Sequence, residues 1–472
     1  MEEQIRKQLK SIMQQEVVLA TGCTEPGAVA LCVAKAVETL GFEPTTINIK
    51  LSKNVYKNAM GVGIPGTGMI GLPIAVAMAV THGDSSRGLE VLTLPADQVE
   101  EAKQWLANNA GKINIGVKET SDKLYIECNV SSASCCAAEA STATAVIAKR
   151  HTNFIFIKKD DTVLLDHKIG LFQEQAGDDN PQEDNKQRLE LTARMVYDYA
   201  TTAPLEELKW LLDTVEYNAA ASECGLSGMG LHTGEILMEQ ARGDMVHTVV
   251  ARTVAASDAR MDGCTKPVYS NSGSGNQGIT CTLPSYYYGK LKGCSEEQIL
   301  RALTMNHLMS IYIKRGIGRL SALCGIVNAT MGCAAALTYL EGSERGVRGS
   351  ERGVKGTNEG GEGSERGVRG SESGVKGTNL YEQVCYAMKN MINTIAGMVC
   401  DGAKPSCALK MSVGLYSAFV CAELAVHNRV VDRTDGLSES DIDCSIRNLG
   451  RLGKEGMNQT DDMILDIMTH KR

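Results

Sequence analysis

Apolar positions recur at helical spacing over residues 2–15 and predict a first amphipathic helix. A second helix is expected to open at Thr24-Glu25-Pro26, with Thr24 as N-cap and Pro26 in the first turn, and to stop at Gly41. TTINIKLS (45–52) alternates like a strand. A Gly-rich run over 61–71 follows, then an apolar helix from about Leu72 to Val80 and another near 97–109. Four short runs read as strands: INIGVK (113–118), LYIECNV (124–130), TAVIA (144–148) and FIFIK (154–158). Their spacing predicts a small antiparallel sheet. From 186 onward the period turns helical, over 186–201, 204–216, 229–241, 244–260, 295–314, 321–340, 380–397 and 405–427.

The fold class is therefore α+β. The polar segment 171–185 (LFQEQAGDDNPQEDN) marks the boundary between an N-terminal α+β region, 1–170, and a mainly helical C-terminal domain, 171–472. The N-terminal Cys and Gly motifs are free to fold back onto the helical part. One segment breaks the pattern. GSERGVRGSERGVKGTN (342–358) recurs as GSERGVRGSESGVKGTN (363–379), differing only at Arg352 against Ser373. Two Gly-rich, charge-mixed copies make neither a solenoid nor a core, so 342–379 is read as a low-complexity loop insertion between helices.

Composition narrows the function classes. Charged residues at 22% and hydrophobic ones at 43% are ordinary for a folded chain of 472 residues. Aromatics are only 4%, so the core must be mostly aliphatic, Ala and Met. A net charge of −8 disfavours a global electrostatic hold on nucleic acid. Two stretches, Asn58–Gly83 and Leu320–Leu340, lack Asp, Glu, Lys and Arg. The first is broken by Gly and Pro and the second is rich in small polar residues, so neither is expected to span a membrane. The charged N-terminus lacks the apolar stretch of a signal peptide, which points to the cytoplasm and to reduced thiols. Most of the 16 cysteines are then small buried hydrophobes, with a minority open to metal or reactive roles.

Three stretches fit GxGxxG, starting at Gly61, Gly66 and Gly273. The last is expected to run into ITCTLP without a helix, and the others lack a clear preceding strand, so dinucleotide binding is disfavoured. SGSGNQG (272–278) still exposes many backbone N–H groups, a nest suited to a carboxylate or simply an irregular turn. No two cysteines are spaced C-x2-C, and no C-x3-C-x2-C occurs. Cys400-Asp-Gly-Ala-Lys-Pro-Ser-Cys407 is a loop closed by two thiols where Pro405 starts a helix. The macrodipole and Lys404 are expected to favour the Cys407 thiolate, the form that binds iron. Cys324, at the start of another helix, is a candidate third ligand. Cys128 and Cys135 share the six-residue gap, but in a strand and a Ser/Ala-rich run burial is the better account. Cys23 lies just before a helix N-terminus, where a lowered pKa is expected; it is either an activated thiolate or a packing residue. The histidines form no HExxH or HxE pattern, and neither a GxSxG elbow nor a GxxxxGK[ST] loop is present.

Taken together, Thr21-Gly-Cys-Thr-Glu-Pro26, Lys57-Asn-Ala-Met-Gly-Val-Gly-Ile-Pro-Gly-Thr-Gly68, Ser272-Gly-Ser-Gly-Asn-Gln-Gly278, Leu323-Cys-Gly325 and Cys400–Cys407 resemble the L-cysteine desulfidase family. This is the oxygen-sensitive iron–sulfur group related to the α domain of bacterial L-serine dehydratase. The resemblance spans nearly the whole chain in the right order, and the insertion at 342–379 departs from it. It implies a [4Fe–4S] cluster held by Cys324, Cys400 and Cys407, with one iron left open as a Lewis acid. It implies Cys23 as the base for the α-proton. Asn58 and the loop residues Ser272, Gly273, Ser274, Gly275, Asn276 and Gln277 are assigned to the substrate's carboxylate and amine. The implied reaction is β-elimination of L-cysteine to hydrogen sulfide, pyruvate and ammonia, without pyridoxal phosphate. L-Serine is the alternative substrate by the same mechanism. A non-catalytic iron–sulfur carrier or redox sensor is the alternative of another class, and a pyridoxal-phosphate lyase a third. The expected partner is a small amino acid, with no nucleic acid or membrane, and a homo-oligomer stays open.

Overall fold

The computed structural model describes residues 1–132, 141–167, 189–318, 321–351 and 379–470. The chain opens with α1 (Glu3–Glu16), the short strand β1 (Leu19–Ala20) and α2 (Thr24–Leu40). Gly41 adopts a left-handed conformation at the end of α2, as the sequence predicts, but the N-cap is Cys23 rather than Thr24. Then come β2 (Thr46–Leu51), α3 (Lys53–Ala59), α4 (Leu72–His82), α5 (Ala96–Asn109), β3 (Ile113–Val117), β4 (Tyr125–Ser132), β5 (Ser141–Ala148), β6 (Phe154–Lys159) and β7 (Thr162–Asp166).

Strands β2 to β7 form one sheet in the order β3-β2-β4-β5-β6-β7. The expectation of an antiparallel sheet holds from β2 through β4 to β7, but β3 pairs parallel to β2. The reason is the connection: α3, α4 and α5 carry the chain back across before β3, and a crossover of that kind yields a parallel neighbour. Alternate residues Ile47, Ile49 and Leu51, with Ile126, Cys128, Val130, Ala143, Ala145 and Ile147, make one buried face. They share a core with Val29, Cys32, Val33 and Ala36 of α2. Cys128 is fully enclosed there, as a small apolar side chain should be. Cys135 lies outside the described residues.

The helical part comprises α6 (Ala193–Thr202), α7 (Leu211–Leu226), α8 (Thr233–Ala241), α9 (Met245–Met261), the strand β8 (Val268–Tyr269), α10 (Gly275–Lys292), α11 (Glu296–Ile317), α12 (Gly325–Glu351), α13 (Leu380–Ile395), α14 (Cys407–Val426), α15 (Ile442–Arg451) and α16 (Asn458–Thr469). Its core is aliphatic, Ala- and Met-rich, with Ala302, Met305, Met309, Met331, Ala334, Ala335, Ala336, Met388 and Met391 wholly buried. Small side chains let helices pack closely, which is how a chain so poor in aromatics encloses a large core. Leu9, Met13 and Val17 join this core, so α1 packs with the helical part, and β1 pairs antiparallel with β8. At the other end of the chain, Lys53 and Asn54 of α3 bond Asp462 and Asp461 of α16.

Three expectations need correction. The segment after Gly273 is helical: α10 starts at Gly275 and runs through ITCTLP with Pro284 inside it. Its first half is buried, and burial there outweighs the weak helix propensity of Thr and Ile. The 342–379 segment does not begin as a loop, because α12 continues to Glu351; residues 352–378 lie outside those described, and Asn379 caps α13 in a capping box with Glu382. The helix expected over 204–216 starts later, at Leu211, and ends at Leu226. Among the described residues α14 alone is long and apolar enough to cross a membrane; half of it is buried in the core, through Met411, Leu415, Ala418 and Ala422 among others.

Candidate active site

Two loops meet at the start of α12. Leu323 and Val399 form an isolated antiparallel bridge. Around it the Cys324 N–H donates to Met398 O (3.0 Å) and the Cys400 N–H to Ala322 O (2.6 Å). Ser321 anchors the first loop by donating to Gly453 O (2.5 Å) and accepting from the Leu323 N–H (3.0 Å). The second loop turns back so that Cys407, the first residue of α14, donates its N–H to Lys404 O (2.9 Å). Gly402 makes that turn with a φ of +94°, and a Cβ there would overlap the Lys57 carbonyl. Lys57, almost wholly buried, donates to Cys400 O (3.2 Å) and pairs with Asp461 of α16. Asp401 pairs with both Lys404 (3.1 Å) and Lys410, and Lys410 also donates to Val399 O (3.0 Å). The loops that carry the sequence-predicted trio Cys324, Cys400 and Cys407 are thus brought together by backbone bonds and the buried Lys57.

Electrostatics at these thiols differ from the sequence expectation. Burial pushes the Cys324 thiol well up, and the neighbouring Cys400 and Cys407 thiols add to the rise. Burial also raises Cys407, with Cys400 adding, against the pull of its backbone contact at Lys404 and of Lys410. The helix start is present, but desolvation outweighs it. Among the described residues no group of three His, Cys, Asp or Glu side chains converges to hold a single metal ion. Cysteine thiols are nevertheless the donor type that iron–sulfur clusters take. Lys404 and Lys410 beside them are already engaged by Asp401.

Cys23 approaches from the other side. It is buried with Val62 and Met261 in a small cluster against which Ala403 and Cys407 pack. Gly61 of the Gly-rich loop lies beside Ala403 and Lys404. Burial lifts the Cys23 thiol to about 11, although Arg260 pulls it down; Glu25 and Cys407 reinforce the rise. The lowered value expected at this helix start is therefore overturned by desolvation. Glu25 accepts from Asn58 Nδ2 (3.0 Å) and from Thr24 Oγ1 (3.0 Å), and Asn58 Oδ1 is buried with no hydrogen-bond partner.

The 272–278 segment forms the entry to α10. Ser272 has a φ of +50°, donates its N–H to Glu16 O (3.0 Å) and its hydroxyl to Asn271 Oδ1 (2.9 Å). Asn271 Nδ2 in turn donates to His307 O (3.2 Å) and Nδ1 (3.1 Å), so the proton of this buried ring lies on Nε2, facing Thr282 (3.1 Å). Burial drops His307 to about 3, a neutral supporting group. Gly273 follows in a left-handed conformation, and Ser274 is the N-cap, accepting from the Gln277 N–H (3.4 Å). Asn276 Oδ1 accepts from Arg260 (3.3 Å). Gln277 turns inward, accepting from Asn328 (2.8 Å), with its amide so close to Gly325 that a Cβ there would overlap it. Gln277 therefore reaches the residue after Cys324, while Asn276 reaches the arginine beside Cys23. Sequence reasoning missed Arg260, Glu25 and the Lys57–Asp461 pair. The available signal for Arg260 was a cation near the end of an Ala-rich helix, shortly before the Gly-rich loop.

The sequence model of the serine dehydratase alpha chain family matches residues 86–347 and 375–466. The break at 348–374 falls inside the repeat segment. Cys324, Cys400 and Cys407 lie within the match, whereas Cys23 and Asn58 precede it. Full-length similarity extends to proteins named UPF0597. One from Bacteroides fragilis is 45% identical over 479 residues, covering 100% of each chain. One from Phocaeicola vulgatus is 46% identical, covering 99% of this chain and 98% of the relative, and one from Aeromonas hydrophila is 37% identical over 98% and 96%. By a match to most of its length, this chain belongs to the serine dehydratase alpha chain family.

Proposed function

We propose that this protein is an L-cysteine desulfidase, a carbon–sulfur lyase in which Cys324, Cys400 and Cys407 hold a [4Fe–4S] cluster and Cys23 is the general base. The observation that carries the reading is the Leu323–Val399 bridge, which joins two thiol-bearing loops opposite Cys23. Three protein ligands leave one iron without a donor, and the cluster when bound supplies a Lewis acid for the leaving group.

The chain's own residues do the rest. Cys23 Sγ takes the α-proton, and its thiol must first be ionised, which Arg260 favours. Asn58 Oδ1, without a partner, accepts from the substrate's ammonium beside Glu25. Val62, Met261 and Ala403 keep water from the reacting atoms. Loss of the α-proton and of hydrosulfide from the β-carbon leaves aminoacrylate, which water converts to pyruvate and ammonia. Pyridoxal phosphate has no part in this scheme. The substrate is a free amino acid, neither nucleic acid nor a membrane is a partner, and the setting is the cytoplasm.

L-Serine is the second reading, favoured by membership of the serine dehydratase alpha chain family. The same residues serve it, with hydroxide leaving in place of hydrosulfide. The test is an assay of anaerobically purified protein with both amino acids. Sulfide and pyruvate from L-cysteine are expected; pyruvate from L-serine alone would replace desulfidase with dehydratase.

A further inference from the structure

We infer that the outward face of α14 is the docking surface for a second copy of this chain, with the two α14 helices antiparallel about a two-fold axis between Tyr416 and Ser417. The inference stands on this helix alone and does not depend on the proposed reaction.

α14 (Cys407–Val426) buries one side, through Met411, Leu415, Ala418 and Ala422, and leaves the opposite side uncovered. A helix of that kind ordinarily carries charged and polar residues on its outer side. Here Leu409 is 49% exposed, Val413 56%, Val420 60% and Leu424 43%, with the half-buried Tyr416 among them. Successive gaps of four, three, four and four keep all five on one face, which is the spacing of a helix–helix seam. The row extends about 22 Å along the helix at 1.5 Å per residue. No Asp, Glu, Lys or Arg occurs from Met411 to Ala422. Single exposed apolar residues are ordinary. A continuous uncharged row of a few hundred Å² marks an interaction surface, since interface centres are depleted of charge.

The order of the residues points to a second copy. A two-fold interface is one surface meeting itself, so its contacts must pair i with j and j with i. About the midpoint of Tyr416 and Ser417, Leu409 mirrors Leu424 and Val413 mirrors Val420. Antiparallel packing therefore sets leucine against leucine and valine against valine in both halves of the row. The same symmetry brings Lys410 of each copy level with Glu423 of the other, whereas parallel packing would set like charges together. Glu423 is exposed and pairs only along its own helix, with His427 (3.3 Å). Lys410 is held at the edge of the face by Asp401 and the Val399 carbonyl, so the docking helix is also the one that starts at Cys407. A few hundred Å² per copy falls short of the about 800 Å² of a standard interface, which places the Kd of the dimer at about 1–100 µM.

The experiment is sedimentation equilibrium on the full-length, anaerobically purified protein and on two variants at exposed positions, Val413→Glu and Val420→Lys. The wild type should dimerise with a micromolar Kd, and each variant alone should raise that Kd at least about 30-fold. An equimolar mixture of the two variants should dimerise more tightly than either alone. Antiparallel packing sets position 413 of one copy against position 420 of the other, so the introduced charges meet. A wild-type protein that stays monomeric to about 500 µM would overturn the inference, and so would a dimer that neither substitution weakens. No recovery in the mixture would refute the antiparallel arrangement. A monomer that sediments with phosphatidylglycerol vesicles, and no longer does so after Val413→Glu, would assign the face to a bilayer instead.

Discussion

Leu323 and Val399, far apart in the chain, pair as a single antiparallel bridge, and this pair sets Cys324 and Cys400 next to each other at the base of α12. Backbone hydrogen bonds therefore hold the two cysteines in place. Changing Cys324, Cys400 or Cys407 singly to Ser should lower iron per chain about tenfold or more and remove turnover, with the fold retained. Cys128→Ser, in the sheet core, should leave iron unchanged and lower stability by about 1–3 kcal/mol. Iron analysis beside a thermal melt separates these outcomes; iron at wild-type level in all three loop variants would refute the ligand set.

As the proposed base, Cys23 should carry the pH dependence of turnover. Burial holds its thiol near 11, so near neutral pH only a small fraction is thiolate, and that fraction grows about tenfold per pH unit. Log kcat/KM should climb with a slope near one between about pH 7 and 9, once the substrate's own ionisations are removed. Cys23→Ser should cost roughly 100- to 10,000-fold in kcat with unchanged iron absorbance. A flat profile in the wild type, or full turnover in the variant, would remove Cys23 as the base.

The legible parts of the molecule were those written in local pattern. The alternation of 45–52 identified β2, and Gly41 marked the end of α2, because both depend on neighbours in sequence. The parallel partner of β2 was not legible, since alternation identifies a strand and not its neighbour. α10 was misread because Thr and Ile disfavour helix locally and Pro284 lies within, while the burial that overrides them is tertiary. Likewise the helix-start position of Cys23 is visible in the sequence, but the desolvation that reverses its pKa is not. Arg260 became conspicuous only when its place beside Cys23 could be seen.

Gly402, within the Cys400–Cys407 loop, has no space for a methyl group. Its φ of +94° and the Lys57 carbonyl against it leave no room, so Gly402→Ala should cost about 1–3 kcal/mol and loosen the Cys400–Cys407 loop. Gly61→Ala, with its nearest contact at 3.8 Å, should be tolerated. Denaturation midpoints and iron content measured on both variants check the contrast; equal losses would contradict it.

The repeats offer a further check. Because α12 extends to Glu351 and α13 is capped at Asn379, deletion should be confined to 352–378 rather than to all of 342–379. The shortened chain should keep its iron and its kcat within about twofold, as the low-complexity composition of the repeats leads us to expect. Loss of both would make the segment part of the enzyme.

The proposed iron–sulfur lyase activity can be tested in a single anaerobic preparation. Iron and acid-labile sulfide should each approach about four per chain, and the same sample should release sulfide and pyruvate together from L-cysteine. A preparation that turns over L-cysteine at full rate without iron, or that carries the full cluster and turns over neither L-cysteine nor L-serine, would contradict it.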